Sequence, residues 1–276
     1  MAVDLGTFGI WQPASLLDVH RAAEAERLGY GTVWIGGSPP ADLGLAEELL
    51  DATSTITVAT GIVNIWQADP HTVASSYHRI AEKHAGRFLL GVGIGHPEAT
   101  RQYQKPYDTV VNYLDRLDDE GVPVEDRALA ALGPRMLRLA AERTAGAHPY
   151  LTTPAHTRRA REIMGPRALV APEHKVVLDT DVERARTVGR QAIGDSYLQL
   201  TNYATNVRRL GYSDADLAAG GSDQLIDALV LHGDTATVAR KLGEHVTAGA
   251  DHVCVQVLGD DRWDGYRSLA TALTSD

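Results

Sequence analysis

From end to end the chain alternates short β-like apolar runs with longer stretches of helical periodicity, and no other feature constrains its fold as strongly. Eight such runs can be read: Val3–Trp11, "TVWIGG", "ITVATGIVNIW", "FLLGVGIG", "RALAALG", "AHPYL", "RALVAPEHKVVL" and "DHVCVQVL". Helical patterns separate them, and "DPHTVASSYHRIAEKHAG" shows the start signal plainly, with Asp69 as N-cap and Pro70 at the first helical position. Eight strand–helix units without a composition break predict an α/β fold, a closed (β/α)8 TIM barrel forming a single domain over residues 1–276. A doubly wound open sheet is the competing architecture, because periodicity carries no information about closure. Residues 192–232 are too many for a plain crossover and predict a helical insertion between strands 7 and 8. Its tyrosines at 197, 203 and 212 suggest a partly aromatic wall over the site.

Composition narrows the partners. A formal net charge of −10 disfavours a general nucleic-acid or anionic-membrane surface, although it permits a local cationic pocket. The single cysteine, Cys254, can form no intrachain disulfide and reads as a small core residue. Asp4 stands where a signal peptide would carry a base, and no apolar run reaches membrane-spanning length, so the expectation is a soluble cytoplasmic protein. The histidines show no metal-ligand spacing, and no G-x-S-x-G elbow is present.

The fourth run, "FLLGVGIGHPE", places Gly91, Gly93 and Gly95 on one face and Leu90, Val92 and Ile94 on the other. It is not a dinucleotide fingerprint: the third glycine position falls on His96 in one register and on Glu98 in the other. Gly91, deep in the strand, reads as a packing residue, whereas Gly93 and Gly95 are expected to clear room for a flat ligand. In "GPRM", Gly133 ends a strand and Pro134 opens a helix, so free backbone N–H groups converge beside Arg135 as an anion site. His96, at a strand's C-terminal end, is the candidate acid or base, with Glu173 a second catalytic candidate beside His174 and Lys175 at the end of strand 7. His71, in a first helical turn, reads as a surface residue.

Four segments in this order, "ATGIVNIW" leading into "DPH", "GVGIGHPE", "ALGPRMLRLAAERTAGAHPYL" and "VARKLGEHVTAGADHVCVQV", resemble the luciferase-like monooxygenase superfamily, in particular its coenzyme F420-dependent oxidoreductases. The resemblance implies hydride transfer between a deazaflavin and a small organic substrate, on a barrel that is commonly dimeric. It implies a cofactor ring packed between the ends of strands three and four, against Gly61, Ile62, Asn64, Gly93, Ile94 and Gly95, with a non-proline cis peptide at Gly61–Ile62. Phosphate would rest on Leu132, Gly133, Pro134, Arg135 and Met136, and the anionic tail would meet Arg135, Arg101 and Lys105. Two departures stand out. Gly37 and Ser38 occupy the place where many relatives carry an acidic residue and a histidine, and His96 stands where some carry a glutamate. An FMN-dependent monooxygenase with a separate reductase partner is the alternative, and a non-catalytic flavin- or deazaflavin-binding barrel the third reading.

Overall fold

The structure, a computed structural model, describes residues 3–96, 105–194 and 196–274. The strands are β1 (Phe8–Pro13), β2 (Thr32–Gly36), β3 (Thr57–Gly61), β4 (Val63–Asn64), β5 (Phe88–Gly93), β6 (Arg127–Leu129), β7 (Gly146–Ala147), β8 (Leu169–Val170), β9 (Glu173–Val177), β10 (Val230–His232) and β11 (Val253–Val257). All the pairings between them are parallel, in the order β10-β9-β11-β1-β2-β3-β5-β6-β7-β8, with β4 beside β5.

Two barrel strands are each broken in the middle, which is why eight runs yield more than eight strands. β3 and β4 flank a cis Gly61–Ile62 peptide bond. β8 and β9 flank Ala171 and Pro172, where a proline cannot donate to the ladder. Across that second break the barrel closes: Ala171 N donates to Ala147 O at 2.9 Å and Glu173 N to Pro149 O at 2.8 Å, while Cys254 N donates to Pro172 O at 2.9 Å. The fold is thus the expected closed α/β barrel.

Helices pack outside. Pro70–Lys83 begins as read, with the Asp69 carboxylate accepting from Thr72 N at 3.0 Å. Strand residues facing outward, such as Ile10, Val33, Val58, Leu90 and Val92, join helix residues in the main apolar core. Inward-facing Trp11, Trp34, Ala59, Leu89, Ala128 and Cys254 fill the barrel's interior. The insertion carries the helices Thr201–Arg209, Asp214–Leu217 and Asp223–Leu229 on a small core of its own that includes Leu198, Val207, Leu225 and Ile226. It is not purely helical, since it ends in β10, which pairs with the upper part of β9.

The seventh run corrects the sequence reading. Glu173, His174 and Lys175 begin a strand instead of ending one, so they sit low in the barrel. No helix among the described residues is long and apolar enough to cross a membrane.

Candidate active site

Over the strands' C-terminal ends lies a cavity of about 890 Å³. It is lined from β1 by Trp11, from the β2 loop by Gly37 and Ser38, from the β3–β4 break by Gly61, Ile62 and Asn64, and from beyond β5 by Ile94, Gly95 and His96. Leu132, Gly133, Arg135 and Met136 form another side, with His148 and Tyr150 after β7 and Tyr197, Asn202, Tyr203 and Arg209 from the insertion. Among the expected ring and phosphate positions, only Gly93 and Pro134 lie off this lining, and Lys105, expected at the anionic tail, lies off it too.

The glycines act differently from the expectation. A Cβ on Gly91 would stand 1.8 Å from Thr60 O, and one on Gly93 would stand 2.9 Å from Ile62 Cγ1 and 2.8 Å from Ala130 Cβ. Gly95 has φ +65° and its Cβ would stand 2.9 Å from Asn64 Nδ2. The bare face therefore admits the protein's own neighbouring strand, which leans over β5 at the β3–β4 break. Gly91 is the packing residue it was read to be. Gly93 makes room for Ile62, and only Gly95 reaches the cavity. Asn64 Oδ1 accepts from Trp66 N at 3.1 Å, an Asx turn that fixes the amide at the cavity wall.

At one side of the cavity the helix Pro134–Arg143 starts with neither a side-chain cap nor an acidic residue in its first turn. Two guanidinium groups stand by it. Arg135 lies over the Tyr107 ring, 3.5 Å from its centroid, a contact that holds an exposed cation in place. Arg209 Nη1 is 3.1 Å from where a Gly133 Cβ would be. Sequence reading missed Arg209, which lies 76 residues along the chain on the insertion's first helix and reaches this spot only through the tertiary fold. Among the described residues the cavity lining holds no aspartate or glutamate, in a chain whose net charge is −10. Lys105 is exposed at the start of the helix Pro106–Asp119, and Arg101 lies outside the described residues.

His96 faces the cavity, with Nδ1 3.2 Å from Asn202 Oδ1 and its ring 5.2 Å from that of Tyr203. Two of the insertion's three tyrosines form an aromatic wall with Tyr150: Tyr150 and Tyr197 join hydroxyls at 3.2 Å, and Tyr197 packs edge-on against Tyr203 at 5.5 Å. Tyr212 packs into the insertion's own core instead.

Glu173 is the candidate the fold removes from the cavity. It is fully buried and pairs with Lys175 at 2.9 Å, while Leu151 N donates to its other oxygen at 3.2 Å. Lys175 Nζ lies 3.7 Å from the centre of the Tyr150 ring, so that ring separates the ion pair from the cavity. Burial pushes the Glu173 carboxyl up and the Lys175 ammonium down, each opposed by its partner's charge. The strand's alternation turns His174 outward, where its Nδ1 meets His245 Nε2 at 2.7 Å. Gly37 and Ser38 both adopt positive φ at the cavity edge and offer no base there. Among the described residues no cluster of carboxylates, histidines or cysteine is placed to hold a metal ion.

The family of luciferase-like monooxygenases matches residues 17–118. The matched stretch spans the second to fourth barrel strands and includes the Gly61–Asn64 and Gly91–Gly95 segments. No curated protein matches the sequence. Solved structures similar along the whole chain include an F420-dependent secondary alcohol dehydrogenase in complex with an F420-acetone adduct, at 15% identity and a TM-score of 0.77, covering 98% of this chain and 99% of that one. A coenzyme F420-dependent tetrahydromethanopterin reductase from Methanopyrus kandleri gives 17% and 0.68, covering 97% of each chain. The oxygenating constituent of 3,6-diketocamphane monooxygenase from Pseudomonas putida, in complex with FMN, gives 17% and 0.66, covering 98% of this chain and 97% of that one. At these identities the likeness establishes the luciferase-like barrel fold.

Proposed function

We propose that this chain is an oxidoreductase that moves a hydride between coenzyme F420 and a small organic substrate. One observation carries the choice of an anionic, flat cofactor: among the described residues the cavity lining holds no carboxylate in an acidic protein, and an uncapped helix start and two arginines stand on one side. F420 supplies a hydride-accepting deazaflavin ring and carries its negative charge on a phosphate tail. The residues present fit such a group. The first-turn N–H groups of Arg135 and Met136, with the guanidinium groups of Arg135 and Arg209, would hold the phosphate. Ile62, Asn64 and Ile94 would flank the ring, and Tyr150, Tyr197 and Tyr203 would keep water from the opposite wall.

His96 is the nearest replacement for the base absent at Gly37 and Ser38, since it faces the cavity and Asn202 orients it. FMN also carries a phosphate, and an FMN-dependent monooxygenase on the same barrel is the competing reading, supported by the diketocamphane enzyme's fold likeness. The test is turnover without oxygen: F420 in each redox state is mixed with alcohols, ketones, enones and imines, and its absorbance is followed. Substrate-dependent change in the deazaflavin supports the proposal. Turnover only with reduced FMN and oxygen refutes it.

A further inference from the structure

Among the described residues, two buried polar atoms at the cavity floor have no partner: Trp11 Nε1 and His148 Nε2. Their residues are 5% and 2% exposed, and both line the cavity. One comes from β1 and the other follows β7, and they meet over Gly61. The point where a Cβ on Gly61 would stand is 2.8 Å from Trp11 Nε1 and 3.1 Å from His148 Nε2. Glycine at 61 is therefore what lets the two buried nitrogens approach one point, which any side chain there would fill.

Their neighbours fix what each atom offers. An indole N–H only donates. His148 Nδ1 lies 2.8 Å from Ala171 O, and a carbonyl only accepts, so the proton is on Nδ1 and Nε2 presents a lone pair. Burial pushes the His148 pKa down to about 4, which keeps the ring neutral in neutral solution. The groups packed around it agree. Trp34 stacks on the ring at 4.1 Å and 13°, and its Nε1 donates to His252 Nε2 at 3.0 Å. His252 is itself held neutral by burial. Lys175 is the charged group whose field reaches His148, and it too disfavours the imidazolium.

One neutral donor and one neutral acceptor, converging at a dry floor, complement a group that accepts once and donates once. A hydroxyl does so. A carboxylate would set its charge against the His148 lone pair, and an ammonium would set its own against the indole N–H.

We infer that Trp11 and His148 form the recognition site for the hydroxyl of a small neutral alcohol, Trp11 Nε1 donating to the oxygen and His148 Nε2 accepting from it. The corresponding carbonyl compound keeps the Trp11 bond alone and binds more weakly. This names the substrate class for the oxidoreductase proposed above and rests on that reading for the redox couple, an alcohol and its carbonyl.

The probe is cyclohexanol, titrated into protein carrying 15N in its four tryptophans, with the indole N–H signals followed by NMR. Trp11→Phe identifies the Trp11 signal. The expected result is a saturable shift of that signal with cyclohexanol, a shift at several-fold higher concentration with cyclohexanone, and none with cyclohexanecarboxylate. His148→Phe should weaken cyclohexanol at least tenfold while leaving the other indole signals in place, and His148→Gln, which restores an acceptor, should recover most of the loss. F420 affinity, measured in parallel, should change less than twofold in Trp11→Phe and His148→Phe. A Trp11 signal indifferent to cyclohexanol overturns the inference, as do equal affinities in wild type and His148→Phe. A tenfold loss of F420 affinity in both variants also overturns it, because the pair would then serve the cofactor. If F420 fails to bind the wild type while the cyclohexanol shift persists, the hydroxyl site stands and the cofactor reading alone falls.

Discussion

Replacing Arg209 with alanine tests whether the insertion completes the anion site. The guanidinium stands 3.1 Å from the Cβ position of Gly133, at a helix start that has no cap of its own. A hydrogen bond to a charged group contributes about 1.5–3 kcal/mol when well shielded, and an exposed ion pair about 0.2–1 kcal/mol. Arg209 is exposed in the structure but borders the cavity, so an intermediate value of about 1–2 kcal/mol follows, or a roughly 5- to 30-fold rise in Kd. The loss should fall on the phosphate alone. The assay is therefore a cycle: Kd of F420, and of the same deazaflavin lacking its phosphate tail, for wild type and Arg209→Ala. The two ligands should differ strongly in wild type and much less in the variant, with little change in the melting temperature. Equal losses for both ligands, or no loss for F420, would refute the phosphate assignment.

Other consequences follow from the same geometry. His148 and His252 are buried with pKa values pushed down to about 4, and His245 to about 3, so the native state binds fewer protons than the unfolded chain below an unfolded value of about 6.5. Stability should thus be fully present above pH ~6.5 and fall as pH drops towards 4, by about 3 kcal/mol for His148 alone. Denaturant midpoints measured across that range check this, and a flat profile from pH 7 to 5 would contradict it. Gly91→Ala, whose Cβ would stand 1.8 Å from Thr60 O, should cost at least ~3 kcal/mol, whereas Gly243→Ala, with nothing within 4 Å in the helix Thr235–Thr247, should stabilise by about 0.5–1 kcal/mol. Paired chemical unfolding curves compare the two directly. His96→Ala should lower kcat at least tenfold with F420 affinity unchanged, and unaltered turnover would remove His96 as the proton-handling group.

The barrel was legible because its signals are local. The strand–helix alternation, the Asp69–Pro70 start and the "GPRM" turn depend on residues a few positions apart, and each appears where the sequence places it. The floor of the cavity was not legible in that way. Trp11 and His148 meet across the barrel, and the fact that each keeps an unpartnered nitrogen exists only in three dimensions. The position of His148 directly after the strand Gly146–Ala147 was a usable hint, since barrel chemistry is built at strand ends. Glu173 misled for a related reason. "APEHK" reads as the end of a strand, yet Pro172 marks a break within one strand, and the residues beyond it alternate into and out of the barrel. The glycines of "GVGIG" were correctly read as clearing a face, but what fills the space at Gly91 and Gly93 is the neighbouring strand of the same chain.

The most direct test of the central claim is an equilibrium titration of the purified protein with F420 and, separately, with FMN, read by tryptophan fluorescence. Trp11 lines the cavity and Trp34 stacks on His148 beside it, so a bound ring should quench both. The account predicts saturable quenching by F420 at least tenfold tighter than by FMN, weakened by added salt as a phosphate contact requires. Tighter binding of FMN, or quenching by neither, would contradict it.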